Sequence, residues 1–193
     1  MRFILFLLIA PSLAMAQSAP DSLKQSATSR LYIGLGIGTS IDKTTTDEAQ
    51  SLSAQAVVGW DFHPWVGAGV GLGIHDSFFN FEQFQYMPLF GQLRAKTPGK
   101  VGLVAFLNSG YAFSLRKDEG DEFFRREFDG GWLWHFGGGF RFRIRESDLH
   151  LTLNHRSFES SLKNVNIWQG EVTSEWEERR RFNRIEIMLA LEI

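Results

Sequence analysis

Apolar and polar residues alternate along most of the chain. In the stretch WVGAGVGLGI (65–74), glycine occupies every second position from Gly67 to Gly73, and apolar residues lie between the glycines. A period of two is that of a β-strand, whose successive side chains point to opposite faces. Glycine weakens a strand, so a whole face of glycines requires an environment in which small size is useful.

The same alternation predicts eight strands, over about 30–41, 51–63, 65–75, 86–97, 100–115, 131–145, 148–158 and 179–193. No window carries apolar residues at the helical spacing of i, i+3, i+4 and i+7, so the predicted fold class is all-β. Three connections are tight turns, at HPW, TPGK and ESD, and four are longer and polar, at 42–50, 76–85, 116–129 and 159–178. Short turns at one end and long loops at the other predict an eight-stranded antiparallel up-and-down transmembrane β-barrel.

Two arrangements of such strands are open, and they differ in which face meets water. A soluble lipocalin-like carrier would turn the apolar face inward around a ligand, whereas an outer-membrane barrel turns it towards lipid. Glycine is as frequent as charge on the polar face. Because the interior of an eight-stranded barrel barely holds side chains, glycines there would make room for larger neighbours. The pattern therefore favours the membrane barrel.

Charged residues within the strands predict a polar lumen. An arginine that faces lipid at the midplane costs about 2–4 kcal/mol, and a buried arginine without a partner is also costly. The expected lumen network consists of Asp61, Arg94, His135, Arg141, Arg143, Arg156 and Glu186, with Gln55, Gln92, Asn108 and Glu192 as further partners. Such a network would plug the barrel, although a small pore remains an alternative.

Aromatic residues cluster near both ends of the predicted strands. Trp60, Phe62, Trp65 and Phe142 lie towards the short turns, and Trp132 and Trp134 lie towards the long loops. Two aromatic girdles separated by aliphatic residues are typical of the two membrane interfaces.

The amino terminus carries the pattern of a secretory signal. Arg2 precedes the apolar run FILFLLIAPSLA, and Ala14-Met15-Ala16 forms a cleavage pattern. The predicted organisation is a cleaved signal peptide at 1–16, a flexible periplasmic lead-in at 17–29 and the barrel at 30–193. A net charge of −2 argues against nucleic acid, and the absence of cysteine excludes disulfides and thiolate sites. The five histidines have no metal-ligand spacing, so no metal or cofactor is expected.

Together, these features resemble the small outer-membrane barrels of the OmpX/OmpA type and, more loosely, the outer membrane protein β-barrel families of Gram-negative bacteria. The resemblance implies an outer-membrane location, insertion by the barrel-assembly machinery and a non-catalytic, structural or surface-interaction role of the long loops. The chain ends in Ile193, where such proteins usually end in an aromatic residue. A monomer in contact with lipid is expected. Lipopolysaccharide is a further candidate partner, because its phosphates would suit Arg125, Arg126 and Arg179–Arg181.

The segment NHRSFES (154–160) suggests a second function. His155 and Ser157 share one face of a strand, with the parity of the outward residues Leu151 and Leu153. This arrangement looks like the lipid A deacylase barrels, in which a His-x-Ser pair and a glutamate form an outward-facing triad. Glu159 or Glu171 could supply the carboxylate, although Phe158-Glu159-Ser160 replaces the Asn-Ala-Gly-like run of that family. The alternative function is therefore a lipid A-modifying hydrolase.

Overall fold

The computed structural model describes residues 30–43, 48–78, 83–115, 118–120, 123–168 and 171–193. The predicted signal peptide (1–16) and lead-in (17–29) lie outside these ranges. Within them, no helix has the length and apolar character needed to span a membrane.

The described chain forms ten β-strands. Their bounds are β1 Arg30–Lys43, β2 Glu48–His63, β3 Val66–Phe78, β4 Gln83–Lys96, β5 Val101–Ser114, β6 Asp118–Gly120, β7 Phe124–Phe128, β8 Gly131–Ile144, β9 Ser147–Trp168 and β10 Glu171–Glu192.

Eight of these strands close into a barrel. Strands β1 to β5 pair in sequence, β5 pairs with β8, β8 with β9 and β9 with β10, and every pairing is antiparallel. Strand β10 then pairs with β1, where Ile33 and Ile193 exchange two main-chain hydrogen bonds of 3.1 and 3.0 Å. The predicted eight-stranded antiparallel barrel is confirmed. We call the end with the short turns the periplasmic end and the opposite end the extracellular end, as in other transmembrane barrels.

Two segments expected to be long loops contain strands instead. Strands β9 and β10 each run for 22 residues and pair from Asp148↔Glu192 to Trp168↔Glu171, through most of the segment 159–178. Within 116–129, β6 and β7 form a hairpin, and β7 pairs with the upper part of β9. Both faces of these segments mix polar and apolar residues, so they lack the alternation that identifies a half-buried strand. Cross-strand pairs of opposite charge are nevertheless compatible with a strand.

The apolar side chains lie on the outside of the barrel and the charged ones inside. Ile37, Val70 and Leu153 are 60–66% exposed, whereas Arg141 and Arg156 are at most 2% exposed. A soluble protein shows the opposite distribution. The aliphatic face therefore forms a continuous apolar belt around the wall, as expected of a barrel that meets lipid.

The residues predicted to form aromatic girdles lie on this outer wall. The structure places Trp60, Phe62, Trp65 and Phe142 on the wall near the periplasmic turns, and Trp132 and Trp134 towards the extracellular end, all 38–55% exposed. The two tryptophans of β8 contact each other edge to face, with ring centroids 6.4 Å apart.

Candidate functional site

The periplasmic end of the lumen holds a cluster of paired charges. The Arg94 guanidinium donates to Asp61 Oδ1 at 2.6 Å and to Glu192, and Lys96 Nζ donates to the same two carboxylates at 2.7 and 3.3 Å. All four side chains are less than 10% exposed. The Tyr32 ring lies 3.3 Å from the Arg94 guanidinium carbon, which adds a cation–π contact. Two cations and two anions balance here, so burial leaves no net charge.

A second ion-pair group closes the lumen beside the turn between β8 and β9. Arg141 donates to Asp148 at 3.0 Å and to the carbonyl oxygens of Thr97 and Gly99 at 2.7 Å. Arg143 also donates to Asp148, at 3.2 Å, but its side chain is 45% exposed. Arg141 thus ties two neighbouring periplasmic turns together, and Arg143 lies at the mouth of the lumen.

The middle of the lumen holds a polar network around Glu186. Both carboxylate oxygens of Glu186 accept from Arg156, at 3.0 and 2.8 Å, and Ser53 donates to the same carboxylate. His135 Nε2 lies 3.2 Å from Glu186, and Arg156 also contacts His75 Nδ1. Glu186 is 1% exposed and Arg156 2%. A buried, bidentate pair of this kind is strong only while both partners are present.

Amide side chains extend this network towards the periplasmic cluster. The Gln92 amide donates to Asn108 Oδ1 at 3.1 Å, and Asn108 Nδ2 lies 3.2 Å from His135 Nδ1. Tyr32 donates from its hydroxyl to Gln92 Oε1 at 3.3 Å. A chain of polar contacts therefore runs from Arg94, through Tyr32, to Glu186.

An aromatic stack closes the extracellular end of the lumen. The rings of His75, Tyr86 and Phe158 stack with successive centroids 4.8 Å apart, and Phe182 follows at 5.9 Å. Tyr86 and Phe158 pack with Ala112, Leu133 and Leu162 into a buried apolar cluster. This layer lies above the Glu186 network, and the buried Arg184 guanidinium carbon lies 5.7 Å from the centre of its Phe182 ring.

The glycine face noted in the sequence lies against the bulkiest lumen side chains. A Cβ at Gly59 would lie 2.3 Å from Tyr32 Oη, and one at Gly71 would lie 2.5 Å from the Phe90 ring. A Cβ at Gly67 would lie 2.3 Å from Asp61 Oδ1. The glycines therefore provide the space that the large side chains occupy.

Between the two charged layers, the lumen retains a small cavity. Its volume is about 50 Å³, and its walls include Gln55, Val57, Phe106, Thr152 and Met188. A volume of this size holds a few waters at most. The charged group around Arg94 and the network around Glu186 flank this cavity.

The structure brings together most of the residues proposed for the lumen network. Asp61 and Arg94 meet Glu192 at the periplasmic end, whereas His135, Arg156 and Glu186 meet in the middle. Arg141 and Arg143 form a separate group through Asp148. The predicted network is thus divided into separate layers.

Sequence reasoning missed several members of these layers. Lys96, His75, Ser53 and Asp148 were not proposed as partners, and neither were Tyr32 and Tyr86. The available signal was the odd or even position of each residue along its strand, which determines the face that its side chain occupies. His75 continues the glycine face of β3, and Lys96 has the parity of Gln92 and Arg94.

Among the described side chains, His155, Ser157 and Glu159 do not form a triad. The His155 ring contacts Phe136 at a centroid distance of 5.1 Å, and within the described part of the chain no hydrogen bond joins it to Ser157. Glu159 pairs with Arg181 at 2.7 Å. The side chain of Glu171 lies outside the described residues.

Beyond the apolar belt, the chain continues as an extracellular sheet. Its strand order is β10–β9–β7–β6, and it comprises the upper parts of β9 and β10 with the β6–β7 hairpin. Its outer face carries cross-strand contacts of Arg181 with Glu159 at 2.7 Å, Lys163 with Glu175 at 2.8 Å and Ser161 with Glu177 at 2.6 Å. The hydrogen bond from Lys163 to Glu175, together with the charge of that carboxylate, raises the pKa of Lys163.

Comparison with known proteins supports the fold. No family model matches the chain, and no curated protein matches its sequence. The crystal structure of neisserial surface protein A (NspA) superposes with a TM-score of 0.58 at 11% identity, over 86% of this chain and 97% of that one. The outer membrane protein AlkL, solved by solid-state NMR in lipid bilayers, superposes with a TM-score of 0.53 at 10% identity, over 84% and 88% of the two chains. Identities this low establish a shared fold and nothing finer.

The closed barrel, the polar lumen and the apolar belt give this protein the fold of an outer-membrane β-barrel. It has the architecture of the small eight-stranded kind.

Proposed function

We propose that the protein is a non-conducting, non-catalytic outer-membrane barrel that acts at the cell surface through its extracellular sheet. The main support for this proposal is the difference between the lumen and the extracellular sheet. The lumen is filled by paired charges and stacked rings, whereas β9 and β10 continue as a paired, charged sheet beyond the belt. Function is therefore best sought in the part that faces outward.

The alternatives have weaker support. A pore would need an open lumen, and the cavity between the layers is only about 50 Å³. A soluble carrier would need an apolar interior, whereas Arg141 and Glu186 are each 1% exposed inside. A hydrolase would need His155 beside Ser157 with an orienting carboxylate, and Glu159 is engaged with Arg181.

The proposal includes a biogenesis route and a lipid environment. The signal-like residues 1–16 would direct export, and the barrel-assembly machinery of a Gram-negative cell would insert an OmpX/OmpA-like chain. Outer-membrane lipid would cover the belt. Lipopolysaccharide phosphates remain candidate partners of Arg179, which is 88% exposed, although Glu177 lies 3.7 Å from it.

Complementation of a deletion strain tests the proposal. One variant replaces residues 165–175 with Asn-Gly, which shortens the β9–β10 hairpin while keeping the Leu162 layer. A matched lumen variant, Arg156→Met with Glu186→Gln, removes the central charges and leaves the surface unchanged. We expect the full chain and the lumen variant to restore cell–cell aggregation, and the shortened hairpin to fail. Full restoration by the shortened hairpin would contradict the proposal.

A further inference from the structure

The upper part of β10 has an open edge. Strand β10 pairs with β1 only as far as Ile185↔Ile41, whereas its pairing with β9 continues to Glu171. Strand β1 ends at Lys43, so over residues 174–182 no described strand pairs with β10 on its β1 side. Residues 44–47, which connect β1 to β2, lie outside the described part of the chain. An exposed edge presents main-chain groups that can pair with another chain.

The main-chain orientation identifies which residues present that edge. Ile193 exchanges its hydrogen bonds with Ile33 of β1. Successive residues of an antiparallel strand direct these groups to alternate sides, and the β9–β10 register is continuous from Ser174 to Glu192. The odd-numbered residues therefore direct their N–H and C=O groups to the open side. In the exposed segment they are Glu175, Glu177, Arg179 and Arg181.

The same four side chains form an ordered charge pattern. They point to the outer face of the extracellular sheet and are 51–88% exposed. From Glu175 to Arg181 their charges are negative, negative, positive and positive. An antiparallel strand with the same sequence therefore places a charge of opposite sign against each of them. Strand β9 follows this rule where it carries charge. Glu159 lies opposite Arg181 and pairs with it, and Lys163 lies opposite Glu177 and pairs diagonally with Glu175. A strand that pairs on the open side should carry the same signs at these positions.

We propose that a second copy of this chain pairs with this edge, β10 to β10 and antiparallel, about a two-fold axis at Glu178. Glu175 then lies opposite Arg181 of the second copy, and Glu177 lies opposite Arg179. All four facing pairs on the outer face are of opposite charge, which stabilises antiparallel pairs. Main-chain hydrogen bonds provide the rest, as in other strand additions to a sheet edge. On the opposite face of the sheet, Glu178 lies against Glu178 of the second copy, and this is the one pair of like charge.

Strand direction determines where the two barrels stand. Strand β10 runs from the extracellular to the periplasmic end, so its antiparallel partner belongs to a barrel of opposite orientation. The two barrels therefore stand in facing membranes. Glu178 is seven residues beyond Ile185, which corresponds to roughly 20 Å for a tilted strand. The membranes would be about 40 Å apart by the same geometry, so the contact is a homophilic one between two cells.

A charge-swap experiment tests this pairing on phosphatidylcholine vesicles without lipopolysaccharide. The all-acidic variant is Arg179→Glu with Arg181→Glu, and the all-basic variant is Glu175→Arg with Glu177→Arg. We expect wild-type vesicles to aggregate, and aggregation of either variant alone to fall about tenfold or more, because every facing pair becomes like-charged. Mixing the two variants restores every opposite pair, so aggregation should return. Lys100→Glu with Arg145→Glu, at the periplasmic turns, makes the same charge change as the all-acidic variant and should have no effect.

A single cysteine tests the register. The chain has no cysteine, so Glu178→Cys can form a disulfide only with another copy. We expect oxidation to yield a covalent dimer, whereas Ser161→Cys, one strand further from the edge, should remain monomeric. A boiled-versus-unboiled gel shift confirms that each variant is folded.

The outcomes are distinct. The pairing would be overturned if the charge-swap variants aggregated as well as the wild type, or if mixing the two variants did not restore aggregation. It would also be overturned if folded Glu178→Cys formed no covalent dimer. The inference rests on the proposed surface function, but failure of these tests would leave the hairpin-deletion result unchanged, so the two can fail separately.

Discussion

The central lumen pair allows a quantitative test of the packing argument. Glu186 accepts two hydrogen bonds from Arg156, and both side chains are at most 2% exposed. Removing one partner leaves a buried charge uncompensated, which typically costs about 3–5 kcal/mol, whereas removing both is often close to neutral. We therefore expect Glu186→Gln and Arg156→Met each to lower the free energy of unfolding by about 3 kcal/mol or more, and the double variant to lose much less than their sum.

The assay is a double-mutant cycle in lipid vesicles. Urea titration, with the folded fraction read from the unboiled gel band, gives the free energy of unfolding for the four proteins. Glu186→Gln keeps the size of the side chain and an acceptor for Ser53, so cavity effects stay small. Single variants that each cost under about 1 kcal/mol, or a double variant equal to their sum, would refute the claim that this is a dry, mutually dependent pair.

Three further predictions follow from other layers of the barrel. Gly59→Ala would place a Cβ 2.3 Å from Tyr32 Oη and should destabilise by about 1–3 kcal/mol, whereas Gly91→Ala, with its nearest atom at 3.9 Å, should be nearly neutral by urea titration. Ser157→Ala should leave the acylation of lipid A unchanged by mass spectrometry, and a changed pattern would favour the hydrolase. Planar-bilayer recordings of the wild type should show no steady single-channel steps, because charged and aromatic layers fill the lumen; regular large steps would contradict this.

Membrane orientation was readable from the strands because each strand has only two faces. If lipid covers the apolar face, then Arg94, Arg141 and Arg156 must point inward, because they alternate with the apolar residues of their strands. The glycines of β3 then follow as the residues that make room. None of these inferences required knowledge of which strand lies beside which.

Sequence alone determined the fold class and the lumen-facing register of this chain, because alternation with a period of two is a local property. Tertiary structure decided which charges meet. Arg94 reaches Asp61 and Glu192, which are 33 and 98 residues away, through the closure of the barrel. It also decided that 159–178 is mostly strand. Both faces of that segment mix polar and apolar residues, so the sequence has no clear period there, and the pairing between β9 and β10 makes it a strand. The open, charge-ordered edge of β10 exists for the same reason, since β1 ends its pairing at Ile41 while β9 continues.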